Sequence, residues 1–335
     1  VYANIARGNT NKKMLERIKE WSASPWTTDN FPQFGLSTYN YHSDGSGISS
    51  SSRRRPILTM RSNVISYPGV PGSGCRHFPA DSHLWYWLTT KGYEFDVITD
   101  DELHKYGLAA IEKYSVLLTC SHPEYHTPQS LNALQEYTNT GGHLMYLGGN
   151  GFYWKVAVSD VWPDAVEIRR GEGGIRAWAS EPGEYYNAFD GEYGGLWRRN
   201  GRAPQVLAGV GFTSQGDHYG APYRRTPESY SDEWAWVFEG ITEEIIGDFG
   251  LSGGGAAGFE LDRADTMLGT PLNAVTLASS EGHDDSFVLV PEDILTHHDT
   301  WPHKPINDLI RADIVYFETA KGGGVFSVGS ITFCG

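Results

Sequence analysis

Between residues 56 and 147, short apolar runs alternate with longer amphipathic stretches. Pro56-Ile-Leu-Thr-Met60, Tyr93-Glu-Phe-Asp-Val-Ile98, Ser115-Val-Leu-Leu-Thr119 and His143-Leu-Met-Tyr-Leu147 have the length and composition of strands. The segments between them read as helices. One runs from Asp81, which can cap it, to Thr90; a second from Asp100 to Lys113; a third from Thr127 to Thr140, where Gly141-Gly142 stops it. Strands separated by helices of this length require right-handed crossovers. The expected fold class is therefore α/β, a parallel sheet flanked by helices. Ligands of such sheets bind at the carboxyl ends of the strands. Two unusual polar loops sit there: Ser121-His-Pro-Glu-Tyr125 after the third strand, and Gly148-Gly-Asn-Gly-Phe-Tyr-Trp154 after the fourth.

The flanking regions have a different texture. Residues 1–55 are polar, with one helical stretch from Lys12 to Trp21 and a Ser/Gly/Asn-rich segment from Ser37 to Ser52. This reads as a linker or arm leading from a further N-terminal domain. From about Asp160 the chain turns Trp-, Gly- and Arg-rich, with glycine clusters at Gly171–Gly174, Gly191–Gly195, Gly253–Gly255 and Gly322–Gly324. Residues 160–310 are expected to form a Gly/Trp-rich, β-containing insertion or subdomain. The runs Asp313-Ile-Val-Tyr-Phe317 and Gly324-Val-Phe-Ser-Val328 are expected to return to the main sheet. The domain would then span 56–335. It starts from a chain whose first residue is Val1 and stops after a strand-like run, as an internal fragment truncated at its C-terminus would.

Composition narrows the function. With 26 Lys and Arg against 41 Asp and Glu, the formal net charge is −15, which argues against sequence-independent nucleic-acid binding. No run of apolar residues is long enough for a transmembrane helix. The three cysteines, Cys75, Cys120 and Cys334, are far apart and odd in number, so a disulfide framework is not expected. No signal-peptide pattern opens the chain, and a cytoplasmic location is expected. In the first loop, His122, Glu124 and Tyr125 lie within four residues, stiffened by Pro123. Glu124 also suits the start of the following helix by its charge. Cys120 reads as a small, buried, apolar thiol. No His-Glu-x-x-His zinc motif occurs, and His297-His298, being adjacent, diverge on any regular element. Tyrosines and glutamates at glycine-rich loops offer hard anionic oxygen ligands of the kind that suit Fe(III), although composition alone does not single this out.

Several segments together resemble the C-terminal catalytic region of the N,N-dimethylformamidase large subunit. They are Arg55-Pro-Ile-Leu-Thr-Met-Arg61, Phe95-Asp-Val-Ile-Thr-Asp-Asp-Glu-Leu-His104, Ser121-His-Pro-Glu-Tyr125, Gly142-His-Leu-Met-Tyr-Leu-Gly-Gly-Asn-Gly-Phe-Tyr-Trp154, Gly191-Glu-Tyr-Gly-Gly-Leu-Trp-Arg198, Gly209-Val-Gly-Phe-Thr-Ser-Gln-Gly216, Tyr316-Phe-Glu-Thr319 and Gly323-Gly-Val-Phe-Ser-Val-Gly-Ser330. The resemblance implies a glutamine-amidotransferase-like fold that hydrolyses a small tertiary amide to dimethylamine and formate. It also implies a mononuclear Fe(III) held by two tyrosines and one glutamate, a small helical partner subunit and a hetero-oligomer. Carried over to this sequence, the metal ligands are Tyr125, Glu192 and Tyr153, with Tyr86 or Tyr67 as alternatives for the second tyrosine. Glu318 is the candidate general base, and a carboxylic acid or His122 the group that protonates the departing amine; His218 would line the pocket. Class I glutamine amidotransferases carry a nucleophilic Cys at the turn after the fourth strand. Asn150 stands there instead, which excludes thiol catalysis at this turn and leaves Asn150 as a donor to a carbonyl or oxyanion. The alternatives are a non-catalytic carbohydrate-binding module stacking sugars on Trp154, Trp178 and Trp197, an ammonia-transferring amidotransferase, and a related amidase with a different amide substrate.

Overall fold

The structure, a computed structural model, describes residues 20, 31–35, 38, 42–55, 77–170, 184–250, 253–293 and 306–335. The expected helix 12–21 (apart from Glu20), the expected strand 56–60 and most of the loop 67–79 lie outside the described residues, as do Tyr67, Cys75, Trp178, His297 and His298.

Seven strands form the largest sheet, in the order β2 (Val116–Leu118), β4 (His143–Tyr146), β14 (Gly324–Ser327), β13 (Asp313–Glu318), β11 (Val275–Ser280), β8 (Tyr223–Arg225) and β9 (Ile245–Ile246). The late strands do return to the main sheet, and β14 lies directly beside β4. The pairings of β4 with β2 and β14 are parallel; all the others are antiparallel. The sheet is thus mixed rather than wholly parallel. The turn 319–323 joins β13 to β14 and is far too short for the crossover that a parallel pair needs. Residues 93–98, expected as a strand, form none, and Tyr93, Phe95 and Val97 are exposed. Alternating apolar and polar residues make a strand only where a ladder takes up the backbone groups, and among the described residues β2 is the edge of its sheet.

Helix α1 (His77–Lys91) begins before Asp81, which therefore lies inside it rather than at its cap. Asp81 Oδ1 instead accepts from Ser121 N and Oγ at 3.0 and 2.7 Å, tying α1 to the loop after β2. The expected helix 100–113 is split. Helix α2 (Asp100–Tyr106) starts on a Thr99–Glu102 capping box and ends at Gly107, whose φ of 56° takes the chain out of the helix into a 3₁₀ turn. Helix α3 (Pro128–Asn139) matches its expectation at both ends, with Thr127 capping and Gly141 at φ 108° just beyond. It packs Leu131, Leu134 and Tyr137 into a core with Leu144, Tyr146, Val315, Phe317 and Val325.

Two smaller sheets complete the fold. One has the order β1 (Ser50–Ser52), β6 (Ala165–Ile168), β5 (Trp154–Val158), β3 (Tyr125–His126). The other is β10 (Ala257–Arg263), β7 (Gly211–Ala221), β12 (Val288–Leu289). Segment 160–310 thus feeds strands to all three sheets. Every residue of β10 is buried, and the strand runs against the turn after β4: a Cβ on Gly149 would sit 2.6 Å from Glu260 O. This approach brings a strand from the late part of the chain to the carboxyl end of the parallel strands.

The capping of α3 is directly testable. Thr127 Oγ1 accepts from Ser130 N at 3.2 Å and contacts His104 Nδ1 at 2.9 Å. Thr127→Ala is expected to lower stability by about 1 kcal/mol, measured by urea unfolding.

Candidate active site

The two loops singled out by the sequence are joined through their backbones. Ser121 O accepts from Gly149 N at 3.1 Å, Pro123 O from Phe152 N at 2.8 Å, and Glu124 O from Tyr153 N and Trp154 N at 3.0 and 2.9 Å. A Cβ at Gly148 would lie 2.3 Å from Ser121 O, so only glycine permits this approach. The turn that results is strained. Asn150 and Phe152 have φ of 50° and 56°, and Phe259 on β10 has 65°. Non-glycine residues in this region persist only where their surroundings over-determine them, and such residues cluster at functional sites.

Between these loops and β10 lies a buried polar cluster. His122 Nε2 stands 3.2 Å from Glu124 Oε2 and 2.9 Å from Glu260 Oε2. Asn150 Nδ2 donates to the same Glu260 oxygen at 3.0 Å, while Asn150 N donates to Asp262 Oδ1 at 2.7 Å. Tyr146 donates its hydroxyl to Asp262 Oδ2 at 2.7 Å and accepts from Gly151 N at 2.7 Å. Asn150 Oδ1 is buried and has no hydrogen-bond partner among the described residues. Burial pushes the Asp262 carboxyl up to about 7, reinforced by the Glu260 charge and opposed by the donors Asn150, Tyr146 and Gly151. Burial, then the charge of Asp262, raises the Tyr146 phenol well above its ordinary value. The arrangement can move protons between an imidazole and two carboxylates in a site closed to bulk water.

The other expected site residues fall elsewhere. Tyr125 pairs with Trp154 across β3 and β5, so the two side chains share a face. The Arg170 guanidinium lies over both rings, at 5.9 and 5.7 Å, and donates to Tyr125 Oη at 3.3 Å. Lys155, the next residue, points to the opposite face and holds the Glu192 carboxylate at 2.5 Å. The Glu192 side chain is 60% exposed. Tyr153 packs edge-on against Trp154 and Phe212 in an apolar cluster. Tyr125 thus packs against the same apolar cluster as Tyr153, while the Glu192 carboxylate is paired with Lys155. Among the described residues, no three His, Cys, Asp or Glu surround a common metal position.

Glu318 is also removed from the cluster. It is exposed at the end of β13 and pairs with Gly324, whose N–H contacts His143 at the start of β4. Because β13 runs antiparallel to β4, its carboxyl end lies at the opposite end of the sheet from Asn150. Tyr86 is 74% exposed on α1. His218 falls where residues 216–219 of β7 bulge opposite Phe259. Burial and the nearby Asp81 and Asp100 charges raise the Cys120 thiol, so it is not a ready nucleophile. Trp154 and Trp197 are buried, which removes them as sugar-stacking platforms. An apolar cavity of about 860 Å³ lies between α1, residues 93–98 and β2. It includes Cys120 and Leu147, which precede the two loops, but none of the cluster.

Sequence reasoning singled out His122 and Asn150, and placed Glu124 in the same titratable loop while also reading it as a helix-start residue. It missed Glu260, Asp262 and Tyr146. The only sequence signal for the two acids was the pattern Gly258-Phe-Glu-Leu-Asp-Arg263 after a glycine cluster. That alternation reads as a strand with one solvated face, the reverse of what the structure has.

Asp262 binds its proton more tightly folded than unfolded. Its contribution to stability is fully present below its ordinary value of 3.8 and is lost as pH rises through about 7. Asp262→Asn is therefore expected to flatten the decline of stability between about pH 4 and 7 relative to wild type, read from unfolding midpoints across that range.

A family model described as "N,N-dimethylformamidase beta subunit-like, C-terminal" matches residues 2–335. The chain is 42% identical over 311 residues to the N,N-dimethylformamidase beta subunits of Paracoccus aminophilus and of an Alcaligenes species. Each match covers 91% of this chain and 40% of the relative, so the chain spans well under half the length of these relatives. Among the described residues, no helix is long and apolar enough to cross a membrane.

Proposed function

The chain belongs to the N,N-dimethylformamidase beta subunit-like, C-terminal family, and from that premise we propose that it carries the catalytic centre of an amide hydrolase acting on N,N-dimethylformamide. The observation that carries the reading is the contact of one imidazole nitrogen, His122 Nε2, with two buried carboxylates, Glu260 and Glu124. Asn150 donates to Glu260 beside them.

Hydrolysis of a tertiary amide has two requirements. Water must lose a proton as it attacks the carbonyl carbon, and the amine must gain one as the C–N bond breaks, because an amide anion is too basic to leave. Glu260, within reach of both His122 and Asn150, takes the proton of the attacking water. His122 carries a proton to the amine nitrogen, and Glu124 steadies the imidazole in the orientation and charge state this needs. The remaining N–H of Asn150 Nδ2 is available to the oxyanion that forms at the carbonyl oxygen. Water and the amide thus give formate and dimethylammonium, with every proton accounted for. A tertiary amide has no N–H, so its polar recognition falls to donors such as Asn150 and His122. The reading includes a glutamine-amidotransferase-like core, supported by the left-handed turn at Asn150 directly after a parallel strand.

Mononuclear Fe(III), expected from the resemblance, supplies Lewis acidity to a carbonyl when bound. Tyr125, Tyr153 and Glu192 offer two phenol oxygens and a carboxylate, hard oxygen donors that would hold it, and no step above uses it. A small helical second subunit in a hetero-oligomer belongs to the same proposal, supported by the relatives' naming as beta subunits.

In the full-length enzyme, His122→Ala and Glu260→Gln are each expected to lower kcat by about 10²- to 10⁴-fold, with secondary structure unchanged by circular dichroism. Glu318→Gln is expected to leave kcat within about twofold of wild type, given its distance from the proton-transfer groups. Dimethylamine release is the assay, and full activity in Glu260→Gln would sink the reading. A related amide cleaved faster than N,N-dimethylformamide would move the substrate but keep the site.

A further inference from the structure

We propose that Asp262, acting with Tyr146, is the positioning residue of this site: its carboxyl clamps the turn 148–152 so that Asn150 stays on Glu260 and Glu260 stays on His122. The inference rests on the functional reading above and extends it to groups that touch no substrate.

The geometry is a closed relay. One carboxyl oxygen of Asp262 receives the Asn150 N–H at 2.7 Å and the other receives the Tyr146 hydroxyl at 2.7 Å. Tyr146 Oη in turn receives the Gly151 N–H at 2.7 Å. Two consecutive backbone N–H groups of the turn are therefore fixed by one acid, one directly and one through a phenol. The turn needs such fixing. Asn150 and Phe152 both have positive φ, at 50° and 56°, and a left-handed asparagine returns to ordinary backbone angles unless it is held. Gly151 leaves no alternative path, since a Cβ there would lie 2.7 Å from the Tyr146 ring. The same Asn150 whose N–H is held by Asp262 sends Nδ2 to Glu260 at 3.0 Å. Glu260 sits two residues before Asp262 on β10, so one rigid, buried strand sets both ends of the clamp.

Asp262 also has no ion-pair partner among the described residues, although it is fully buried. A buried carboxylate beside a second carboxylate costs stability. If the task were only to hold the fold, a neutral amide would do it at lower cost. What the carboxylate adds is acceptors on both oxygens, which a carboxamide lacks: the NH₂ group of an amide in place of the Asp262 carboxyl could not accept the Tyr146 hydroxyl.

The test is a double-mutant cycle in the full-length protein in its native assembly, with N,N-dimethylformamide as substrate. Asp262→Asn is expected to lower kcat about 10- to 100-fold, with KM within about twofold of wild type. Tyr146→Phe is expected to lower kcat several-fold and to add nothing in the Asp262→Asn background. The deciding readout is the Asn150→Ala background. There, Asp262→Asn is expected to change kcat by less than about twofold, because the side chain it positions is gone. Equal effects of Asp262→Asn with and without Asn150 would overturn the proposal. So would a variant whose kcat per folded molecule is unchanged while only its unfolding temperature moves. Should Asp262→Asn fail to fold, Tyr146→Phe against Asn150→Ala gives the same cycle. If His122→Ala and Glu260→Gln abolish turnover while Asp262→Asn does not alter it, this proposal fails and the functional reading stands. If those two variants keep full activity, the functional reading is the one that fails.

Discussion

Glu260 and Asp262 carry carboxyl groups on a strand with no exposed residue, and each must find donors that water would otherwise supply. Asn150 gives one to each, its side-chain amide to Glu260 and its backbone N–H to Asp262. A single residue can do both only if its backbone turns sharply toward β10. That requirement accounts for the left-handed φ at Asn150, for the glycines on either side of it, and for the identity of the residue. Asparagine is among the few side chains that tolerate this backbone region and also carry a short N–H donor. Gly148 and Gly149 are equally constrained, one by Ser121 O and the other by Glu260 O. The site is thus a consequence of where two carboxylates were buried.

The strand that carries these acids is anchored from its other side. Arg263, the next residue, is buried and bonds Asp265 and Asp293 at 3.1 Å each and Leu309 O at 3.0 Å. Arg198 reaches Asp293 as well, at 3.2 Å. A buried arginine needs this many acceptors to be tolerated, and in satisfying them it pins the end of β10 to the segments around residues 198, 293 and 309. Positional precision at Glu260 then comes from the scaffold rather than from the flexible glycine loops. On the opposite side, Asp81 binds Ser121 and links α1 to the loop that carries His122. The buried polar cluster is therefore held from three directions: a helix, a strand-end turn and a buried strand.

The contrast between Lys155–Glu192 and His122–Glu260 shows how burial separates similar motifs. Glu192 lies in a glycine-rich turn that looked suited to close approach of a ligand. It is mostly exposed and already neutralised by a lysine, so its glycines serve the chain reversal. Glu260 follows a comparable glycine cluster, Gly253–Gly255, but it lies inside β10 and meets an imidazole instead. Local sequence is nearly the same in kind; the surrounding dielectric and the partner differ.

Sequence alone determined the elements whose signals are local. Thr127, Pro128 and Gly141 mark both ends of α3 by capping and by left-handed backbone. The apolar runs at 115–119 and 143–147 mark β2 and β4, and the loops after them carry His122 and Asn150. Where the outcome depended on a distant partner, the sequence could not decide. Residues 93–98 alternate like a strand, yet no ladder receives them among the described residues. The hairpin of β13 and β14 turned an expected parallel sheet into a mixed one and carried Glu318 to the far end from Asn150. Glu192 was assigned to a metal together with Tyr125 and Tyr153; the pairing of its carboxylate with Lys155 is a contact that no local pattern shows. Only the tertiary structure brought β10, more than a hundred residues later in the chain, against the turn after β4, because burial and hydrogen-bond pairing are properties of the assembled core and leave no mark in the local pattern of residues.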